Sequence, residues 1–111
     1  MILYKNDELL TLRERIIKLL LSSEKPLYVD EISAFLGLKP SEHKRIYSEL
    51  NHIAKTIRRK TNNRLMLYMV PPVCESCGYV FKNLNKPKRP SRCPRCKSER
   101  ISPPKFLIKE K

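Results

Sequence analysis

Four cysteines in the second half of the chain stand in two closely spaced pairs. Two residues separate Cys74 from Cys77 and Cys93 from Cys96, and 15 residues lie between the pairs. A Cys-x-x-Cys pair forms a tight turn that directs both sulfurs at one ion, and two such turns complete a tetrahedron. The spacing therefore predicts a structural site for one Zn²⁺ ion, with Cys74, Cys77, Cys93 and Cys96 as its ligands.

The residues beside the cysteines bear on the shape of this site. Gly78 directly follows the first pair and suits a backbone turn with positive φ, whereas Lys97 stands in the matching place after the second pair. We expect Lys97 to be tolerated there at some conformational cost. The apolar Tyr79, Val80 and Phe81 are predicted to cover the metal from one side.

Iron is the competing ion, because a cage of four thiolates suits it as well. Cys77-Gly78-Tyr79 resembles the first cysteine turn of rubredoxins, which are iron electron carriers. The short loop between the pairs and the strongly basic surroundings favour structural zinc instead. A catalytic zinc is not expected, since no histidine or carboxylate is placed to leave one coordination position open.

The positive charge of the chain is confined to its second half. Residues 1–50 carry eight basic and eight acidic side chains, whereas residues 51–111 carry sixteen basic and three acidic ones. The whole formal charge of +13 thus belongs to residues 51–111. Such a concentrated field favours a polyanionic partner, most commonly nucleic acid, over a merely solubilising lysine-rich surface.

Periodic apolar residues predict the elements that position these side chains. Three helices are expected, over 7–22 with Asp7 as a cap, over 31–36 with Asp30 as a cap, and over 41–59. Three β-prone runs are expected at 27–29, 65–70 and 106–108. The last two bracket the cysteine segment, so we expect them to pair as the arms of a hairpin whose tip is the metal module.

Two helices have recognisable inward faces. That of the second helix is predicted to consist of Ile32, Phe35 and Leu36, and Gly37 should end this helix with a positive φ. The buried stripe of the third helix is predicted to be Ile46, Leu50, Ile53 and Ile57.

Three helices followed by a strand pair is the order of a winged helix-turn-helix. Residues 30–50 fit that motif, with an apolar helix, a glycine turn, and a second helix that begins with small polar and basic residues. A generic helical hairpin is the alternative. The predicted fold class is α+β, with a winged helix-turn-helix (1–72 and 102–111) and a four-cysteine zinc ribbon (73–101, hereafter the ribbon) inserted in the wing.

With both parts placed, the chain resembles an archaeal family of predicted transcriptional regulators that fuse a winged helix-turn-helix to a rubredoxin-like zinc ribbon. The resemblance covers about residues 11–109, and its most specific pieces are 15–21, 74–82 and 90–99. It implies DNA binding in transcription, with the ribbon inserted where the wing would turn.

On this hypothesis the third helix is a recognition helix and double-stranded DNA is the partner. Base edges or phosphates are assigned to Ser41, Lys44, Arg45 and Ser48. Phosphates are assigned to Lys55, Arg58 and Arg59 on the helix. The DNA backbone or minor groove is assigned to Lys88, Arg89, Arg92, Arg95 and Lys97 on the ribbon. Glu42 and Glu49 interrupt the basic face of this helix.

Two other roles remain open. The chain could be a protein-interaction adaptor of the transcription or translation machinery, whose ribbon touches nucleic acid without reading sequence, or it could be an iron electron carrier. Enzymatic activity is not expected, because His43 and His52 are nine residues apart and neither stands beside a nucleophile or a carboxylate pair.

Location and assembly are also addressed by the sequence. Residues 1–8 lack the zones of a secretion signal, and no apolar run approaches the roughly 20 residues that cross a membrane. We therefore expect a cytoplasmic protein without membrane contact, where reduced thiols bind metal rather than form disulfides. Residues 1–4 with Leu9 and Leu10 could form the seam of a homodimer, or could pack on their own domain.

Overall fold

Three α-helices and five β-strands make up the described part of this protein. The structure, a computed structural model, describes residues 9–110. Within this range the helices are α1 (Leu12–Ser22), α2 (Val29–Phe35) and α3 (His43–Lys60), and the strands are β1 (Leu27–Tyr28), β2 (Leu65–Val70), β3 (Val73–Cys74), β4 (Ile101–Ser102) and β5 (Lys105–Glu110). A short 3-10 turn, Pro40–Glu42, leads into α3.

The first helix starts later than predicted. The Thr11 hydroxyl accepts the Glu14 N–H at 3.1 Å, and the Thr11 N–H donates to the Glu14 carboxylate at 2.9 Å. This reciprocal capping box marks the N-terminus of α1 and makes Leu12 its first residue. The prediction of a helix from residue 7 was wrong, and Asp7 itself lies outside the described residues.

The second helix starts earlier than predicted and turns a different face inward. It begins at Val29, and the Glu31 carboxylate accepts the Tyr28 N–H at 2.9 Å, so Asp30 lies in the first turn rather than at the cap. Ile32 is buried, whereas Phe35 is 68% exposed, which makes the prediction for Phe35 wrong. Because Val29 joins the inward stripe, Phe35 projects roughly a third of a turn away from its centre.

A polar side chain, that of Ser33, takes the inward position that was predicted for Phe35 near the end of α2. Ser33 is buried, and its hydroxyl donates to the carbonyl of Leu38 at 3.0 Å. Gly37 has a φ of 71°, as predicted for the residue that ends α2. The Ser33 hydroxyl and the positive φ of Gly37 therefore define the turn between α2 and α3.

The strands form two antiparallel sheets within the described range. β5 is the central strand of a three-stranded sheet of order β1-β5-β2, and its pairing with β2 runs from Leu65 opposite Glu110 to Val70 opposite Lys105. This confirms the predicted hairpin that brackets the cysteine segment. β3 and β4 pair separately at the base of the ribbon, beyond the buried Pro72 and Pro104.

One apolar cluster joins the three helices to the sheet. The predicted stripe of α3 is confirmed, since Ile46, Leu50, Ile53 and Ile57 are all buried. They pack with α1 and with Phe106 and Ile108 of β5. The architecture is thus a small α+β unit that carries a two-stranded ribbon between β2 and β5.

Two expectations concern the ends of the chain and membranes. Of the proposed dimer seam, residues 1–4 lie outside the described range, Leu9 is exposed and Leu10 is half-buried. In residues 9–110 no helix combines the length and apolar character needed to span a bilayer.

Candidate metal centre and nucleic-acid interface

The two cysteine turns have the same backbone structure. The N–H of Gly78 donates to the carbonyl of Cys74 at 2.8 Å, and the N–H of Lys97 donates to the carbonyl of Cys93 at 2.9 Å. Gly78 and Lys97 also share the left-handed conformation, with φ of 82° and 66°. Lys97 thus occupies the glycine position at a cost of about 1–2 kcal/mol, as its sequence position led us to expect.

These turns bring the four sulfurs together. Cys74 Sγ lies 3.6 Å from Cys96 Sγ, Cys77 Sγ lies 3.7 Å from Cys93 Sγ, and all four sulfurs lie within 4.8 Å of one another. A tetrahedron with Zn–S bonds of about 2.3 Å has edges of about 3.8 Å. The cluster therefore fits one tetrahedral ion, and the four ligands predicted from the sequence are the residues that form it.

The electrostatics of the cluster call for a cation at its centre. Burial raises the pKa of the Cys74 thiol, but N–H donors of Cys77 and Ser76 and contacts with neighbouring thiols lower it to about 6. The Ser98 N–H lowers the pKa of Cys96, whereas burial and the neighbouring thiols raise it to about 12. Four thiolates so close together cannot all ionise alone, and a divalent ion supplies the charge that stabilises them.

A small apolar cluster covers the metal centre. Cys74, Cys93 and Ile101 are buried, and Tyr79 and Phe81 pack against them with ring centroids 5.0 Å apart. Val80 does not take part, since it is 41% exposed. Its prediction as a covering residue was wrong because alternate side chains of an extended segment point to opposite sides.

All twelve residues predicted to contact nucleic acid are exposed. Those on α3 or in the turn before it are Ser41, Lys44, Arg45, Ser48, Lys55, Arg58 and Arg59, and those on the ribbon are Lys88, Arg89, Arg92, Arg95 and Lys97. Exposure permits contact with nucleic acid but does not demonstrate it. The binding role of these residues therefore stays a prediction.

Some of these cations already have partners in the protein. Arg45 lies 3.3 Å from the Glu42 carboxylate, and Arg92 lies 3.7 Å from that of Glu99. The Arg95 guanidinium lies 5.7 Å from the centre of the Tyr79 ring. Exposed pairs of this kind contribute about 0–1 kcal/mol, so a phosphate can compete for each cation.

The ribbon also contacts α3 through its long loop, residues 82–92 (hereafter the ribbon loop). The Asn51 amide, on the flank of α3, donates to the carbonyl of Pro87 at 3.2 Å, and Pro87 is buried. Lys88 and Arg89 directly follow this contact. Sequence reasoning missed Asn51, because no periodicity or spacing marks a polar contact between residues 36 positions apart.

Both parts of the chain match known families. Residues 11–66 match the model described as PF0610-like, N-terminal, and residues 71–111 match that of the PF0610 rubredoxin-like zinc beta-ribbon domain. The solution NMR structure of protein PF0610 from Pyrococcus furiosus is 33% identical, with a TM-score of 0.67, and the match covers 100% of this chain and 97% of that one. No curated protein matches the sequence. Together with the sulfur geometry, the ribbon match assigns one structural zinc ion to the four cysteines.

Proposed function

For this chain, which belongs to the PF0610-like family with its rubredoxin-like zinc β-ribbon, we propose a role as a DNA-binding transcriptional regulator. In this proposal α1, α2, α3 and the β2–β5 hairpin act as a winged helix-turn-helix, and the ribbon extends the wing. The observation that carries it is the exposed basic face of α3, which lies beside the basic ribbon loop.

The shape of α3 suits a role as recognition helix. Its apolar stripe is buried on the core, so the opposite side, which includes Lys44, Ser48 and Lys55, faces solvent. A helix with its side chains is about 10–12 Å wide, and the major groove of B-DNA is about 12 Å wide. Lys44, Arg45 and Ser48 in its first two turns, with Ser41 just before them, are assigned to base edges or nearby phosphates.

The far end of α3 suits phosphate rather than bases. Lys55, Arg58 and Arg59 line an open concave surface of about 480 Å³ together with Asn62 and Asn63. Cations and amides on a concave surface match the oxygens of a phosphate. On the ribbon, Lys88, Arg89, Arg92, Arg95 and Lys97 are assigned to the DNA backbone or minor groove.

Binding of the zinc-loaded protein to a pool of random duplexes tests the proposal. If about six cations contact phosphates, the logarithm of affinity should fall with the logarithm of salt concentration with a slope of about −5. Sequencing of the retained duplexes should reveal a compact motif. Tight binding without a motif would favour an adaptor with non-specific contacts, and no binding at physiological salt would contradict DNA as the partner.

Substitution of Arg45 should change which sequence is preferred, because this side chain lies in the first turn of the proposed recognition helix. Arg92→Ala, in the ribbon, should weaken binding to all sequences alike. The two variants are matched, since each removes one exposed arginine from a surface ion pair of 3.3 or 3.7 Å. Repeating the selection with each variant is the measurement, and a uniform loss for Arg45→Ala would remove Arg45 from the base readers.

The adaptor role remains a second candidate because α1 and α2 expose apolar side chains. Phe35 lies beside a groove of about 180 Å³ whose lining includes Leu19 and Leu36, and Leu21 is also exposed. Apolar side chains around a groove are common in protein–protein contacts. A transcription-machinery protein bound there would leave the basic face free for nucleic acid, and sequence-selective duplex binding separates the two roles.

A further inference from the structure

Asn51 links the ribbon to the middle of α3. Its amide nitrogen carries two hydrogens and reaches two carbonyls, that of Tyr47 on its own helix at 3.1 Å and that of Pro87 in the ribbon loop at 3.2 Å. The contact to Tyr47, one turn earlier, holds the side chain on the flank of α3. The contact to Pro87 joins two segments that are far apart in sequence.

The ribbon loop lies against this flank over more than one residue. Pro87 is buried although its neighbours Lys86, Lys88 and Arg89 are exposed. Burial raises the pKa of Tyr47, and the positive charge of Arg89 lowers it in part, which places Arg89 within electrostatic reach of α3. Arg89 therefore stands near the helix, and Lys88 lies in the chain between Arg89 and the buried Pro87.

We propose that Asn51 is a positioning residue, which holds Pro87 against α3 so that Lys88 and Arg89 form one phosphate-binding surface with the exposed face of the helix. The ligand of this surface is the phosphate backbone that borders the groove entered by α3. This inference rests on the proposed DNA binding and adds to it a fixed geometry between helix and ribbon.

Fixed geometry matters because each cation held in place engages a phosphate without a further loss of freedom on binding. Each phosphate contact contributes about 0.9 to the steepness of the salt dependence. A ribbon loop released from α3 would leave Lys88 and Arg89 on a moving segment, and their two contacts would no longer form together with those of the helix.

Asn51→Leu tests the proposal. Leucine has the same number and branching of side-chain heavy atoms, no charge, no hydrogen-bond donor and a high helix propensity, so α3 should persist while the contact to Pro87 is lost. We expect the salt slope to become shallower by about 2. A fourfold increase in salt would then lower affinity by roughly 10², compared with roughly 10³ for the unchanged chain.

A double-mutant cycle separates positioning from general weakening. Lys88→Ala with Arg89→Ala should cause a similar loss of slope in the unchanged chain, and little further loss when combined with Asn51→Leu. His52→Ala, at the exposed neighbouring position on α3, is the control and should leave the slope unchanged. Asn51→Ala repeats the test, with zinc content and helical circular dichroism as the checks of folding.

Nuclear spin relaxation of the zinc-loaded protein without DNA gives a second readout. Ribbon and helix amides should tumble together in the unchanged chain and separately in Asn51→Leu. Additive losses in the cycle, or an unchanged slope while duplex binding persists, would overturn the positioning role and leave the proposed function standing. Absence of duplex binding by the unchanged chain would overturn both.

Discussion

Removal of the zinc ion is expected to unfold the ribbon while the three helices keep their structure. The buried apolar cluster of the ribbon consists of Ile101 and the side chains of Cys74 and Cys93, with Tyr79 and Phe81 only partly covered. A cluster of this size cannot offset the loss of chain entropy, whereas binding of a structural zinc ion supplies about 10–16 kcal/mol in small zinc-folded peptides.

Unfolding of the ribbon should also lower the stability of the helical core, because the two parts are joined through β2 and β5. The folded ribbon holds the ends of β2 and β5 together at the β3–β4 pair. When it unfolds, the 34 residues between β2 and β5 (71–104) become an open loop, and closing such a loop costs on the order of 3 kcal/mol. We therefore expect the thermal midpoint of the helices to fall without loss of their cooperative transition.

Nitrogen–proton NMR spectra and far-ultraviolet circular dichroism, recorded with and without chelator, measure the two effects. Amide signals of residues 73–101 should collapse to unfolded positions while helical ellipticity persists at low temperature. Cys93→Ser should give the same result without chelator, and Ser91→Ala, at an exposed position two residues earlier, should behave like the unchanged chain. Ribbon signals that survived chelation would show that the apolar cluster is sufficient by itself.

The metal centre was predictable from the sequence because its information is local. Two residues between cysteines dictate the turn, and Gly78 indicated the positive φ that Lys97 also adopts. The stripe of α3 was predictable for a similar reason, since a long helix repeats its period over several turns. The β2–β5 pairing followed from the position of two apolar runs on either side of a self-contained module.

The errors arose where a short segment leaves the period undefined or where contacts are distant in sequence. α2 has only seven residues, so its apolar period is poorly defined by the sequence. Once Val29 belongs to the inward face, the centre of that face shifts and Phe35 lies outside it. The start of α1 depends on which polar residue caps it. The sequence offered Asp7, whereas the structure has the capping box of Thr11 and Glu14. The contact of Asn51 with Pro87 depends on how the ribbon loop folds back, which no local pattern encodes.

Phe106→Ala is expected to destabilise the protein by about 3–5 kcal/mol, the usual cost of removing a buried aromatic ring. Phe106 is 0% exposed on the central strand β5, and its ring lies edge-to-face with that of Tyr47 on α3 at 6.3 Å between centroids. The substitution leaves a cavity between the sheet and α3. Because small domains have free energies of unfolding of about 5–15 kcal/mol, the substitution would remove a large share of the total stability.

Phe35→Ala provides a control with the same chemical change at an exposed site, where the expected effect is within about 0.5 kcal/mol. Urea unfolding of the zinc-loaded protein, followed by circular dichroism, measures both variants. A loss for Phe35→Ala comparable to that for Phe106→Ala would contradict the exposed position of Phe35 and imply that its ring is covered in solution. If that loss depended on protein concentration, the cover would be a second copy of the chain, and the apolar side of α1 and α2 would be an interface rather than a free surface.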